Sequence, residues 1–293
     1  LTQARAKLFA ARRQRVPPGR DDKQLTSWNA LMIKGLAHAG RLFGKPEWVA
    51  LARQALGFIR AALWRDGTLY ASYKEGKTDG KARLAAYLDD YAFLLDALLE
   101  LLQSDFHQED LTFAGELADA LLDHFEDKDD GGFYFTSHSH EKLICRIKSG
   151  TDTVLPAGNA VAAFALQRLG HLLGETRYLA AAERALRLFY PAIAAEPASH
   201  LAFLAALEEY LSPPAILLLR GPHEKLAAWQ DALNRSESSL RLVVSLPNGS
   251  GELPGCLAKP ESAEVQGWLC RGTECLPPIT RPEQLLQSVS KSQ

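Results

Sequence analysis

The sequence predicts a mainly α-helical protein built from αα-hairpin repeats, followed by a small α/β appendage. Three observations carry this prediction. Strongly apolar helices at residues 30–43, 93–102 and 160–173 alternate with helices that are apolar on one side only. Local motifs recur at a near-constant spacing. Asp66-Gly67-Thr68-Leu69-Tyr70 is echoed sixty-four positions later by Asp130-Gly131-Gly132-Phe133-Tyr134. Gly40-Arg41-Leu42-Phe43-Gly44 is echoed by Gly170-His171-Leu172-Leu173-Gly174 at an offset of 130, two repeats of 65. After Ser212-Pro213-Pro214 the texture changes to short apolar, β-branched runs.

Residues 2–15 read as a basic amphipathic helix, ended by Val16-Pro17-Pro18-Gly19. The first inner helix is expected at 27–43, with Thr26 or Ser27 as its N-cap and Gly44 as its C-terminal cap. Pro46 opens the outer helix, striped by Trp48, Leu51, Ala52, Ala55, Ile59, Ala62 and Leu63. A turn and a short extended piece at 66–70 close the unit.

The second unit centres on Ala86-Tyr87-Leu88-Asp89-Asp90-Tyr91-Ala92, which leads into a helix read as apolar on every side from 93 to 102, and therefore as buried. Its outer helix carries Ala114, Leu117, Ala118, Leu121 and Phe125. The third unit follows Pro156-Ala157-Gly158-Asn159, and its outer helix carries Tyr178, Ala181, Ala182, Ala185 and Phe189. Residues 197–211 read as a fourth inner helix.

Residues 1–212 are therefore expected to be almost wholly helical, and 213–293 to form the appendage. Within it, strands are expected at 215–219, 240–246 and 265–270, with helices at 224–236 and 282–289. Stacked hairpins of this period close into a toroid or open into a solenoid. Three and a half hairpins do not close a large ring unaided, so the other hairpins are expected from elsewhere. The chain also begins with Leu1, which points to a fragment or a processed product.

The 293 residues are 47% hydrophobic, enough for a sizeable core. A net charge of −2 offers no electrostatic reason to expect nucleic acid or an anionic membrane. No run approaches the ~20 apolar residues of a membrane helix, and no signal peptide opens the chain. Cys145, Cys256, Cys270 and Cys275 are too few for a secreted disulfide framework, so a cytoplasmic location is expected. No nucleotide-binding or nucleophile-elbow motif is present, and no cofactor is called for.

Several stretches resemble the YyaL-like family of thioredoxin-domain-containing proteins, the spermatogenesis-associated thioredoxin-domain type. They are residues 21–32 (Asp21 to Met32), Leu88-Asp89-Asp90-Tyr91-Ala92, Asp130-Gly131-Gly132-Phe133-Tyr134, Pro156-Ala157-Gly158-Asn159 and residues 270–277 (Cys270 to Pro277). The resemblance implies a thioredoxin-like domain upstream of this chain. It also implies an (α/α)6 toroid similar to six-hairpin glycosidases and N-acylglucosamine 2-epimerases, of which this chain holds the C-terminal portion. The chain departs from the family at Ala157, where the pattern has Ser.

The functional residues are expected at the N-termini of the inner helices. Asp89, Asp90 and Asp22 are the catalytic candidates. Two carboxylates held ~5–9.5 Å apart cleave glycosides, and adjacent residues do not face each other, so the partner is sought in Asp21, Asp22 or Asp152. The helix dipole favours the ionised form, hence a base or nucleophile rather than an acid. The plain alternative is an N-cap beside a solvated carboxylate. Trp28 and Asn29 suit a sugar platform and a hydroxyl-binding amide, or a core Trp with a capping Asn. Tyr91 and Asn159 are grouped with them. Arg146, Lys148 and Asp152 suit an anionic group such as a uronate, or a solvated loop. His38 is read as deep among apolar residues, and His138 and His140 as a surface pair. Cys270 and Cys275 are read as two reduced thiols, or as a redox pair serving the thioredoxin-like domain. The leading function is a carbohydrate-active enzyme, a glycoside hydrolase or a sugar epimerase/isomerase, acting on a carbohydrate substrate. The alternative is a non-catalytic scaffold working with a thioredoxin-like domain.

Overall fold

The computed structural model describes residues 1–74, 80–234, 241–272 and 274–290. Helix α1 (Thr2–Arg13) buries none of its residues. Strand β1 (Gln24–Leu25) leads into α2 (Thr26–Leu42), and α3 (Pro46–Ala62) returns beside it. Strands β2 (Trp64–Arg65), β3 (Thr68–Lys74) and β4 (Lys81–Ala85) follow. The second hairpin is α4 (Leu88–Ser104) with α5 (Gln108–His124), and the third is α6 (Gly158–Leu173) with α7 (Thr176–Ala195). Helix α8 (Leu201–Leu211) is the fourth inner helix. The chain continues through β5 (Ala215–Gly221), α9 (His223–Asn234), β6 (Arg241–Pro247), β7 (Gln266–Arg271), β8 (Glu274–Cys275) and α10 (Pro282–Ser290). The expected helix end at Ser236 and strand start at Leu240 lie outside the described residues, as does Thr273 of the 270–277 stretch.

The inner helices pack in series, α2 on α4, α4 on α6 and α6 on α8, each of the first three also packing on its own outer helix. Helix α4 is the hub. Of its 17 residues only Asp89 and Ser104 are not buried. The outer α3, by contrast, buries only Ala52, Leu56 and Ile59 along one stripe. At the edges of the array α2 leaves Trp28 and Met32 more than 60% exposed, and α8 leaves Leu201 and Leu211 likewise.

The recurring glycine pair has a mechanical role. A Cβ on Gly40 would lie 2.7 Å from Val49 Cγ2, and one on Gly170 would lie 2.8 Å from Leu179 Cδ2. The first glycine therefore lets each inner helix close against its outer partner. The second, Gly44 or Gly174, turns the chain with a positive φ of 62° or 73°. The same hydrogen bond closes both turns, Lys45 N–H to Gly40 O at 2.8 Å and Glu175 N–H to Gly170 O at 3.0 Å.

The first 212 residues are not almost wholly helical. Strands β1, β2 and β4 all pair antiparallel with β3. The β2–β3 hairpin turns on Asp66 and Gly67, whose φ values of 49° and 75° suit an Asp-Gly two-residue turn. Strand β1 pairs with residues of β3 nearly fifty positions away, whereas β4 pairs with β3 close by in sequence. The N-cap of α2 is likewise neither Thr26 nor Ser27 but Leu25. The Thr26 hydroxyl instead donates to Tyr70 O of β3 at 2.6 Å.

In the appendage β5 and β6 are parallel, joined through α9, and β7 pairs antiparallel on the other side of β5. Strand residues alternate between two cores. Ile216, Leu218, Leu242 and Val244 join the helical core, whereas Leu217, Leu219 and Val243 pack with Leu226 of α9 and Leu285 of α10. The sheet lies across the C-terminal end of α4, and the short helical turn Gly255–Leu257 lies against that of α6. Gln103 accepts hydrogen bonds from Gln230 Nε2 and Val243 N–H, and Cys256 Sγ donates to Leu172 O. No helix among the described residues is long and apolar enough to cross a membrane.

Candidate functional site

The N-termini of α2, α4 and α6 meet at one end of the array, and two carboxylates stitch the helix starts together. Asp90 Oδ2 accepts from Tyr87 N–H at 3.0 Å and Oδ1 from Ser27 N–H at 2.9 Å, capping α4 and its neighbour α2 together. Asp152 Oδ1 accepts from Ala157 N–H at 2.8 Å and Oδ2 from Ala202 N–H at 2.9 Å, joining the starts of α6 and α8 in the same way. Both carboxylates therefore have their oxygens committed to backbone.

Asp89 has no such partner. Its side chain forms no hydrogen bond or ion pair among the described residues. Its Oδ1 lies over the first residue of α6, where a Cβ on Gly158 would approach it to 2.1 Å. The glycine of the Pro-Ala-Gly-Asn stretch is what admits this carboxylate. Burial pushes the Asp89 carboxyl up to about 6. The expected dipole effect, which favours the ionised form, is overridden here because no N–H donor accompanies it. Asp90 is also pushed up to about 6 by burial, against the opposing pull of the Tyr87 and Ser27 N–H groups.

The other expected residues are placed as follows. Asn159 spends its amide on backbone, its Oδ1 accepting from Phe133 N–H at 2.7 Å and its Nδ2 donating to Phe133 O and Ser149 O. It is a clamp on the 130–134 turn. Its repeat counterpart Asn29 donates to Leu25 O at 2.8 Å. The buried Tyr91 hydroxyl accepts from Leu69 N–H at 3.0 Å. Trp28 is 63% exposed, not a core residue. Asp21 pairs with Lys23 and Asp22 with Lys74, all four side chains well exposed.

Arg146 stacks 4.1 Å over Tyr134 and donates to Thr136 O, and Lys148 bridges Asp127 and Gly131 O. Both cations are engaged by the 127–136 segment. They do not stand ready at the mouth, as an anion site would need. Lys148 and the Tyr134 hydroxyl hold Asp127 well below the usual carboxylate range.

Helix α4 is buried all round but not apolar, since Asp96 and Glu100 lie on it, buried. With Asp89, Phe93 and Gln103 they form one stripe at helical spacing, which was legible in the sequence. Lys34 of α2 meets Asp96 at 2.6 Å, and His38 and Arg41 meet Glu100 at 3.0 and 2.6 Å. His38 is therefore half-exposed beside a carboxylate, not deep among apolar residues. Glu100 is held down to about 2: burial pushes it up, but the His38 bond and the Arg41 charge outweigh this. On α6, Arg168 stacks 4.0 Å over Phe164 and pairs with Glu209 of α8, while Lys34 reaches within 5.7 Å of the same ring. The four inner helices thus share a continuous charged face descending from Asp89. At its far end this face, through Arg41 and Gln103, borders a cleft of about 650 Å³ that Arg53, Gln230 and Asp231 also line. No group of three or more potential metal-ligating side chains occurs among the described residues.

No family model matches the sequence. It is 26% identical over 300 residues to an uncharacterised protein of Caenorhabditis elegans, covering 99% of this chain and 41% of that protein. It is 31% identical over 181 residues to spermatogenesis-associated protein 20 of Rattus norvegicus, covering 59% of this chain and 23% of that protein. The chain thus spans less than half the length of these curated relatives. Among solved structures it resembles cellobiose 2-epimerase from Bacillus thermoamylovorans with a TM-score of 0.53 and 13% identity, over 74% of this chain and 62% of that one. The chain is therefore related in sequence to spermatogenesis-associated protein 20, and its αα-hairpins form part of an (α/α)6 toroid carrying a small α/β appendage.

Proposed function

We propose that this chain contributes to a carbohydrate-active enzyme, a sugar epimerase/isomerase or glycoside hydrolase, with Asp89 as its general acid/base. The observation that carries the reading is a half-buried carboxyl without a hydrogen-bond or ion-pair partner among the described residues, pushed up to about 6, at the rim where the inner helices begin. A group titrating near neutrality is populated in both protonation states, as proton transfer requires. The exposed Trp28 ring beside the capped Ser27 offers an apolar platform for a sugar face. The fold is one that a cellobiose 2-epimerase also uses, which is an analogy of scaffold rather than of site. Asp90 and Asp152 are occupied by backbone, and Asp21 and Asp22 are exposed and ion-paired. None of these four is a free partner carboxylate for Asp89.

The test is a panel of mono- and disaccharides offered to the protein and to Asp89→Asn, with Asp21→Asn as control. Loss of a general acid/base lowers turnover by about 10²–10⁴-fold. Unchanged binding and turnover in Asp89→Asn would leave the second reading, a non-catalytic scaffold working beside a thioredoxin-like domain. That reading draws on Asp90, Tyr91, Asp152 and Asn159 all serving backbone.

A further inference from the structure

Cys270 and Cys275 are not two reduced thiols. They are joined as a disulfide across the antiparallel strands β7 and β8, where they stand directly opposite each other. The bond spans a sequence separation of 5. A loop so short removes less freedom from the unfolded chain than a long one, so the bond is a weaker staple than a long-range disulfide. Its surroundings suit chemistry better. Cys270 is fully buried, whereas Cys275 is partly exposed. Lys259 Nζ stands 3.2 Å from the Cys275 sulfur, donating to it, and 5.9 Å from the Trp268 ring. An ammonium at that distance stabilises a thiolate. The nearby Cys256 has the opposite character. It is largely buried, and its thiol is pushed up to about 11 by that burial despite the charge of Lys259.

We infer that Cys270–Cys275 is a thiol–disulfide exchange site, with Cys275 as attacking thiolate, Cys270 as resolving thiol, and a small thiol/disulfide couple of the glutathione class as co-reactant. In the oxidising direction the Cys275 thiolate attacks one sulfur of the external disulfide. Its S–S bond breaks, one thiolate leaves and takes up a proton from water, and Cys275 carries the mixed disulfide. Cys270 then loses its proton to solvent and attacks the Cys275 sulfur, expelling the second thiolate. The Cys270–Cys275 bond re-forms, and two electrons have passed from the protein to the external disulfide. Reduction by a dithiol runs the same steps backwards. This site is independent of Asp89 and of the reaction proposed for it.

The experiment uses the protein carrying Cys145→Ser, which removes its exposed free thiol. Dithiothreitol should open the bond, read by alkylation and mass mapping of residues 270 and 275, while the helical circular dichroism stays unchanged. The reduced protein should be re-oxidised by oxidised glutathione. Cys270→Ser should trap the glutathione adduct on Cys275. If that variant does not fold, the rate of re-oxidation of the parent protein carries the test. Lys259→Met removes the ammonium beside the Cys275 sulfur and should slow the attack on oxidised glutathione by about threefold at neutral pH. A bond that opens only as the helical signal is lost would overturn the inference. So would adducts on Cys256 instead of Cys275, or a Lys259→Met protein that reacts at the parent rate.

Discussion

Asp89→Asn should make this protein more stable at neutral pH, and the gain should vanish in acid. The carboxyl moves from 3.8 in the unfolded chain to about 6 in the folded one, with burial as the cause. The folded state therefore holds this proton more tightly. Stability from this group is fully present below about pH 4, falls as pH rises through 4–6, and is lost above 6. A shift of about two units corresponds to at most ~3 kcal/mol, and the partial exposure of Asp89 trims this to about 1–3 kcal/mol. The amide has the same shape and carries no charge, so it escapes the penalty. Urea unfolding followed by helical circular dichroism from pH 4 to pH 8 reads the difference. The two proteins should coincide near pH 4 and separate by about 1–3 kcal/mol at pH 7–8. Asp90→Asn is the contrast. Its amide can accept only one of the Tyr87 and Ser27 N–H groups and turns its own NH₂ toward the other, costing about 1–3 kcal/mol. If Asp89→Asn is instead destabilised at pH 7, the carboxylate has a structural partner and the argument for a free acid/base collapses.

Other substitutions test the frame around the site. Asp152→Ala orphans the Ala157 and Ala202 N–H groups and should cost about 2–4 kcal/mol in thermal or urea unfolding, with the α6–α8 contact the first to show faster hydrogen exchange. Gly170→Ala drives a methyl into Leu179 and should cost about 1–3 kcal/mol, and Gly40→Ala against Val49 a similar amount. Arg168→Met leaves Glu209 buried without its partner and should lower stability by about 3–5 kcal/mol, an effect that shrinks in Arg168→Met/Glu209→Met.

The hairpin order and the Gly-x-x-x-Gly turns were readable because their signals are local, and the inner and outer assignment because an all-round or one-sided apolar pattern shows along a single helix. Periodicity and the needs of a tight cap are local properties, and the sequence by itself determined them. It also determined that Asp89 and Asp90 stand at a helix start. It did not separate them. The two neighbours have the same chemistry, and only the tertiary structure decided that Asp90 caps Ser27, sixty-three positions earlier, while Asp89 points over Gly158 with no donor. The same is true of Asp152, whose second partner, Ala202, is fifty residues away. Asp96 and Glu100 could be seen in the sequence as charges in an apolar helix, but their tolerance there depends on Lys34, His38 and Arg41 from another helix. The pairing of β1 with β3 depends on a partner nearly fifty positions away. The β3–β4 pairing and the Cys270–Cys275 bond are local, but they turn on whether two short segments fold back on each other, and a burial pattern read along one segment carries no information about what will lie beside it.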